Sequence, residues 1–442
     1  MPISFRWITV AALSGFLFGF DTVVISGANL PIKELWPMNP FFHGFFIMSM
    51  ALWGTVFGAL FGAYPTNNLG RKKTLTWIGI LFLISALGSA LSIDPYTFSF
   101  FRFIGGLAVG VSSIVAPIYI SEISSPKNRG SLGALYQFSL VFGIMIAFLS
   151  NYFFTGFNGS HDWRWMLGIE SVPALFYFIL TLNIPDTPRW QILFQKNDNE
   201  AIKTLKQIYG EKHDLKKLID NIKSADSSAE KQGFLINKAN NKIILLAFLI
   251  SFFNQLSGIN FILYYAPEIL EMAGFATKES LYNSVFIGMT NIIFTFAGLM
   301  LIDRLGRRQL LIIGSLGYII SLTGISLAFY QQMSPQWIAV FIFAFIAAHA
   351  MGQGTVIWVF ISEIFPNRIR AKGQSFGAGV HWVFAALITL VGPSIIAMFQ
   401  INPWPIFSFF AFMMVLQLIF SLFAMPETKG KPLEEINQVI NI

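Results

Sequence analysis

Twelve apolar runs of membrane-crossing length constrain this chain of 442 residues more than any other feature: 7–29, 44–64, 74–93, 97–119, 131–154, 163–184, 242–270, 281–302, 309–330, 337–361, 373–399 and 404–425. Crossing about 30 Å of hydrocarbon takes roughly 20 residues of helix. The runs are unbroken, whereas the strands of a membrane barrel alternate over about ten residues. The expected fold is therefore all-α and integral to the membrane, with twelve transmembrane helices. Only 12% of the residues are charged, well below the roughly 25% of soluble proteins. The first run is too long for a signal-peptide core and is followed by eleven more, so it is expected to stay in the bilayer as span 1. Cysteine is absent, which removes disulfides and thiolate metal sites from consideration.

The net charge of +7 would suit nucleic acid if the basic residues were spread along the chain. They are not. Of the 29 lysines and arginines, 25 fall in the connections on one side of the membrane, and only Lys33, Arg164 and Lys278 fall in those on the other. By the positive-inside rule that basic side is cytoplasmic, with both termini on it. No glycine loop ending in Gly-Lys-Ser/Thr is present to cradle a nucleotide, so neither nucleotide nor nucleic acid is expected as a partner. Any energy must come from a gradient.

The single long polar stretch, 185–241, divides the spans into six and six. Apolar residues recur at helical spacing within it (Ile202, Leu205, Ile208, then Leu215, Leu218, Ile219, Ile222), which predicts two or three short amphipathic helices on the cytoplasmic face. The chain also matches itself. Gly70-Arg71-Lys72 after span 2 recurs as Gly306-Arg307-Arg308 after span 8, an offset of 236. Ser121-Glu122-Ile123 with Arg129 recurs as Ser362-Glu363-Ile364 with Arg370, and Pro185-Asp186-Thr187 as Pro426-Glu427-Thr428, both at offset 241. These repeats predict a six-helix bundle over 1–184, the linker 185–241, a second bundle over 242–425 related by a pseudo-two-fold axis, and a tail at 426–442. Paired halves that rock about a central site are carrier architecture. Arg71, Arg129, Arg307 and Arg370 lie near Glu122, Asp303, Glu363 and Glu427. They are expected to form ion pairs that tie the halves together when the cytoplasmic side closes; plain topology determinants are the alternative.

Ionisable residues inside a membrane need a partner or a role. Asp21 in span 1, Arg102 in span 4 and Glu170 in span 6 fall at similar depth by helical rise. Burial and a nearby arginine pull the proton affinity of a carboxyl in opposite directions, so Asp21 is a candidate proton carrier. A static ion pair is the alternative. His349 and His381 have no second ligand at metal spacing, and no metal or other cofactor is expected. Gln137, Asn254, Gln255 and Asn260 bring amides, and Trp358 and Trp382 bring flat apolar faces, a mixture suited to a small neutral sugar. Interhelical hydrogen bonding and packing account equally well for any one of them.

These residues fall in motifs that resemble those of the sugar porters of the major facilitator superfamily, from end to end of the chain. The motifs are Gly15-Phe16-Leu17-Phe18-Gly19-Phe20-Asp21-Thr22, Arg102-Phe103-Ile104-Gly105-Gly106, Asn254-Gln255-Leu256-Ser257-Gly258-Ile259-Asn260, Tyr264-Tyr265-Ala266-Pro267, Pro185-Asp186-Thr187-Pro188-Arg189-Trp190 and Pro426-Glu427-Thr428-Lys429-Gly430. In that family an aspartate at the position of Asp21, facing the arginine at Arg102, marks proton symporters such as the bacterial xylose carriers. The resemblance thus implies proton symport. It implies that Gln137, Gln255, Asn260, Trp358 and Trp382 contact sugar, with Phe18, Asn254, Gly354 and His381 on the same cavity wall, and that Tyr264 and Tyr265 help close the outer side. The chain departs from the family pattern at Asn254, Ile144, Thr355 and Ala385, leaving fewer side chains to grip one end of the sugar, and Asn67 replaces the usual aspartate of the first basic motif, as in the xylose carriers.

The expectation is a proton-coupled importer of a pentose or hexose in the bacterial cytoplasmic membrane, functional as a monomer within the lipid bilayer and not an enzyme. A facilitative sugar or polyol uniporter is the nearest alternative. A membrane sugar sensor is a remote one.

Overall fold

The protein was analysed as a computed structural model that describes residues 3–124, 128–210, 215–227, 235, 237, 240–366 and 369–430. Among the described residues ten helices are long and apolar enough to cross a membrane, and the bent pair Pro40–Met48 and Met50–Phe61, which is span 2, makes eleven. Span 6 is the twelfth crossing, in two pieces, Asp162–Gly168 and Ser171–Thr181, with Glu170 at the break. The protein is thus the twelve-helix membrane bundle that its apolar runs predict.

Spans 1, 3, 4 and 5 are single helices, Ile3–Leu35, Arg71–Leu91, Pro95–Ile123 and Arg129–Phe154. So are spans 8, 9, 11 and 12, Thr277–Leu305, Arg307–Tyr330, Arg370–Met398 and Trp404–Phe423. Span 1 runs on past the expected end of its apolar stretch because Ile32 is still fully buried there, and this carries Lys33 outward on a rigid helix. Spans 7 and 10 are broken: Asn241–Leu256 and Ile259–Met272 meet at Gly258, and Pro335–Met351 and Gln353–Ile364 meet at Gly352. Gly258 has φ +85°, a left-handed conformation that other residues adopt at a cost, and any side chain there would also press into the Phe410 ring. Irregular backbone at membrane depth survives only inside protein or along a cavity, and both breaks are packed in protein, Gly258 on Phe410 and Gly352 on Gly314 and Ala348.

Close helix packing depends on missing side chains. Span 2 and span 4 approach through Gly54, Gly58, Gly106 and Gly110; a Cβ at Gly106 would strike the Ala51 carbonyl and lie 2.9 Å from the Gly54 Cα. Gly106→Val should destabilise the fold by about 1–3 kcal/mol, read as a lower unfolding midpoint of the detergent-purified protein.

Among the described residues the linker holds three short helices, Pro188–Leu193, Asp198–Tyr209 and Leu215–Ser227. Asn197 caps the second by accepting from the Glu200 N–H, and Gly210 at φ +80° ends it. They bury Ile192, Ala201, Leu205 and Ile219 in a small core of their own. Trp190 fastens this unit to the inner end of span 2 by donating from Nε1 to the Asn67 carbonyl at 2.7 Å.

Candidate transport site

The inner ends of the spans carry the sequence repeat as repeated geometry. Arg71 donates from Nε and Nη2 to the two oxygens of Glu122 at 3.1 and 3.0 Å, and the Thr187 hydroxyl donates to the same carboxylate. Arg307 donates to Glu363 at 3.1 and 2.8 Å, with Thr428 in the place of Thr187. Asp186 accepts the backbone N–H groups of Arg71 and Lys72; Glu427 accepts those of Arg307 and Arg308. Gly70 and Gly306 both have φ +92°, which turns those N–H groups toward the acid. Burial pushes the Asp186 carboxyl above the usual carboxylate range, and the two N–H groups oppose that shift.

Pairs between the halves are expected when the cytoplasmic side closes; in this structure, closed at its outer end, the pairs are local. Each forms within the first six spans or within the last six. Asp303 has an 82% exposed side chain and reaches only Arg307, at 3.4 Å, and Arg370 donates to the Phe365 carbonyl at 3.2 Å rather than to a carboxylate. The side chain of Arg129 lies outside the described residues.

Deeper in, Arg102 donates from Nη1 to Asp21 Oδ1 at 2.5 Å and from Nη2 to the Asp21 carbonyl at 3.0 Å. Asp21, Arg102 and Glu170 are all at most 2% exposed. Glu170 is close enough to interact electrostatically with both, and so is Tyr264 from span 7. Asp21 Oδ2, Glu170 Oε1 and Arg102 Nε have no partner among the described residues. Gly105 lets Ser85 pack close beside the carboxylate, since a Cβ there would sit 2.4 Å from Ser85 Oγ and 3.2 Å from Asp21 Oδ1.

Toward the second half, the Phe18 and Trp382 rings meet at 5.6 Å across the divide, His381 lies 4.8 Å from Trp382, and Trp358 lies 4.9 Å from His381. Trp358 is 39% exposed, whereas Trp382 is buried. Asn260 donates to Gln255 Oε1 at 2.7 Å, and Gln255 donates to Asn254 Oδ1 at 2.9 Å and to the His381 ring at 3.2 Å. Asn254 donates in turn to Gln353, so each end of its amide carries a bond to protein, and the residue is buried. Gln137 is half-buried in span 5 with no hydrogen bond among the described residues. Gly354 lies against His349, whose ring accepts or donates at 2.5 Å with Tyr318.

The outer end is shut. Asn29 donates to Glu268 at 2.8 Å, Lys33 pairs with the other Glu268 oxygen at 3.0 Å, and His43 bonds Asn29 Oδ1 at 2.8 Å. Of these, the two bonds to Glu268 cross between the halves, and His43 holds Asn29 in place from within the first half. Tyr264 and Tyr265 are buried beneath them, and the Tyr265 hydroxyl donates to the Thr389 carbonyl at 2.6 Å. Sequence reasoning overlooked Glu268, although an acid inside the run 242–270 meets the same criterion that singled out Asp21. It also overlooked Asn29 and His43, for which type and spacing gave no signal.

A bundle with a duplicated inner rim, a sealed outer end, a buried charge cluster and a buried line of amides beside Trp358 and Trp382 is built as a secondary transporter. The family model described as "Sugar (and other) transporter" matches residues 7–440. The arabinose-proton symporter of Bacillus subtilis (strain 168) is 35% identical over 97% of this chain and 93% of its own length. The partially occluded, inward-open structure of the xylose transporter XylE from E. coli superposes with a TM-score of 0.86 at 30% identity, covering 98% of this chain and all of that one. The structure of the same proton:xylose symporter bound to 6-bromo-6-deoxy-D-glucose gives 0.79 at 31% identity over 99% and 98% of the two chains. The chain belongs to the sugar porter family of the major facilitator superfamily.

Proposed function

We propose that this protein is a proton-coupled symporter importing a pentose or hexose by alternating access. It works as a monomer in a bacterial cytoplasmic membrane, with both termini on the inner side. The observation that carries the reading is the charge count at Asp21, Arg102 and Glu170: two carboxyls and one guanidinium, all buried. Fully ionised, the trio holds one net negative charge in a low-dielectric site; a single proton shared by the acids makes it neutral. The unpartnered oxygens of Asp21 and Glu170 are where that proton resides.

Bodies 1–184 and 242–425 rock about the site, and Tyr264 links their movement to the charge cluster, because it belongs to the second body and lies within electrostatic reach of Asp21 and Arg102 in the first. The closed outer end corresponds to an inward-facing state, in line with the higher similarity to the inward-open relative. The inner clamps keep each rim rigid as it moves. The amides of span 7 and the Trp358 and Trp382 faces bind the sugar, a role supported by relatives that carry arabinose and xylose and by the bromodeoxyglucose held by one of them.

The test is to add D-xylose, arabinose or D-glucose to sealed proteoliposomes without an imposed gradient and follow external pH. Alkalinisation in step with uptake is expected. Uptake and counterflow with no pH change would make the protein a uniporter.

A further inference from the structure

The amides at the cavity do not end there. Asn254 Nδ2 donates to Gln353 Oε1 at 3.3 Å, Gln353 Nε2 to Gln417 Oε1 at 2.8 Å, and Gln417 Nε2 to Ser315 Oγ at 2.8 Å. Together with Gln255 and Asn260 this makes one line of five carboxamides, all buried, crossing from span 7 through spans 10 and 12 to span 9.

The line has a direction, and its far end sets it. Ser315 uses its only hydroxyl hydrogen on the Leu311 carbonyl at 2.7 Å, so toward Gln417 it can only accept. Gln417 must therefore turn its NH2 to Ser315 and its oxygen to Gln353. The same requirement passes to Gln353, Asn254 and Gln255 in turn. At the near end Asn260 must give its NH2 to Gln255, which leaves its Oδ1 for the cavity. That oxygen has no partner among the described residues and is not among the fully buried unpartnered atoms. Reversing one amide would set NH2 against NH2 or oxygen against oxygen in a buried site, so the line holds its direction as a unit. The second hydrogen of the Gln255 amide faces the His381 ring, with both ring nitrogens at 3.2 Å.

We propose that Gln353 and Gln417 are positioning residues that, through this one-way line of amides, make Asn260 a hydrogen-bond acceptor toward the sugar, so that the hydroxyl meeting it must donate. The proposal rests on the sugar reading above.

The test compares binding of D-xylose, arabinose and D-glucose with that of the monodeoxy and monodeoxyfluoro analogues of whichever binds most tightly. Fluorine cannot donate. At one ring position, fluorine is expected to weaken binding as much as hydrogen does, about tenfold, the worth of one good hydrogen bond. Gln417→Leu and the smaller Ser315→Ala release the line, so the hydroxyl-to-fluoro ratio at that position should fall toward one. Gln417→Glu still offers Gln353 an acceptor and should keep the ratio. A loss spread equally over all analogues, with the ratio unchanged in both releasing variants, would show that Gln417 only packs and would overturn the proposal. So would fluorine tolerated at every position by the unmodified protein, with the sugar reading intact. No binding of any parent sugar would defeat both.

Discussion

Asp21→Asn should abolish uphill sugar accumulation and leave downhill exchange in place. Asparagine keeps an oxygen for the Arg102 Nη1 hydrogen bond now made by Asp21 Oδ1. What it removes is one of the two acids. Arg102 and Glu170 then neutralise each other with no proton bound, so the cluster can pass through both orientations without carrying one. Each pH unit across the membrane is worth 1.36 kcal/mol per proton, so one-for-one symport under a one-unit step accumulates sugar to about tenfold. The variant should reach a ratio of one under the same step. Proteoliposomes loaded with labelled D-xylose provide the measurement, with counterflow as the control for a folded carrier. Accumulation that persists in Asp21→Asn removes this residue from the coupling.

Opening the outer seal should be the next largest effect. Glu268→Ala leaves the buried Asn29 amide and the Lys33 ammonium without the acceptor that both now use. An unsatisfied buried donor costs about 1–3 kcal/mol, and that cost falls only on the outside-closed state, because an open outer end is wetted. The balance should therefore move toward the outside-open state by roughly tenfold or more. The chain has no cysteine of its own, so Leu390→Cys, buried where span 11 meets Gly44, reports this directly. A membrane-impermeant maleimide added from outside should label it at least several-fold faster when Glu268 is alanine. Lys33→Ala should do much less, since the lysine side chain is 39% exposed and such pairs are weak. Equal labelling with and without Glu268 would mean that apolar packing, not this carboxylate, holds the outer end shut.

Much of this was legible in residue order. Run lengths gave the spans, and the offset motifs around Arg71 and Arg307 gave the duplicated rims, because a bidentate arginine pair and an acid beneath a glycine turn need fixed residue types at fixed places. Asp21 and Arg102 were legible because a charge at membrane depth has few explanations. The reach of each pair was not legible: the distance along the chain does not tell whether Arg71 meets Glu122 beside it or a carboxylate in the other half, and both satisfy the same chemistry. Gln353 and Gln417 were illegible for a related reason. A glutamine in an apolar helix satisfies itself in many ways, and only coordinates show that these two join a line beginning at Asn260. The bonds that Asn254 makes to Gln353 and Gln255 were illegible on the same ground.

The placement of the bridging contacts bears on how avidly such a carrier works. Glu268 carries two polar links between the halves, to Asn29 and Lys33, and turning outward breaks both. An empty carrier built this way spends most of its time with its back to the medium. Apparent affinity for external solute is the intrinsic affinity reduced by the fraction of molecules facing it, so strengthening that one bridge would trade scavenging at low concentrations for retention of what has already been taken up.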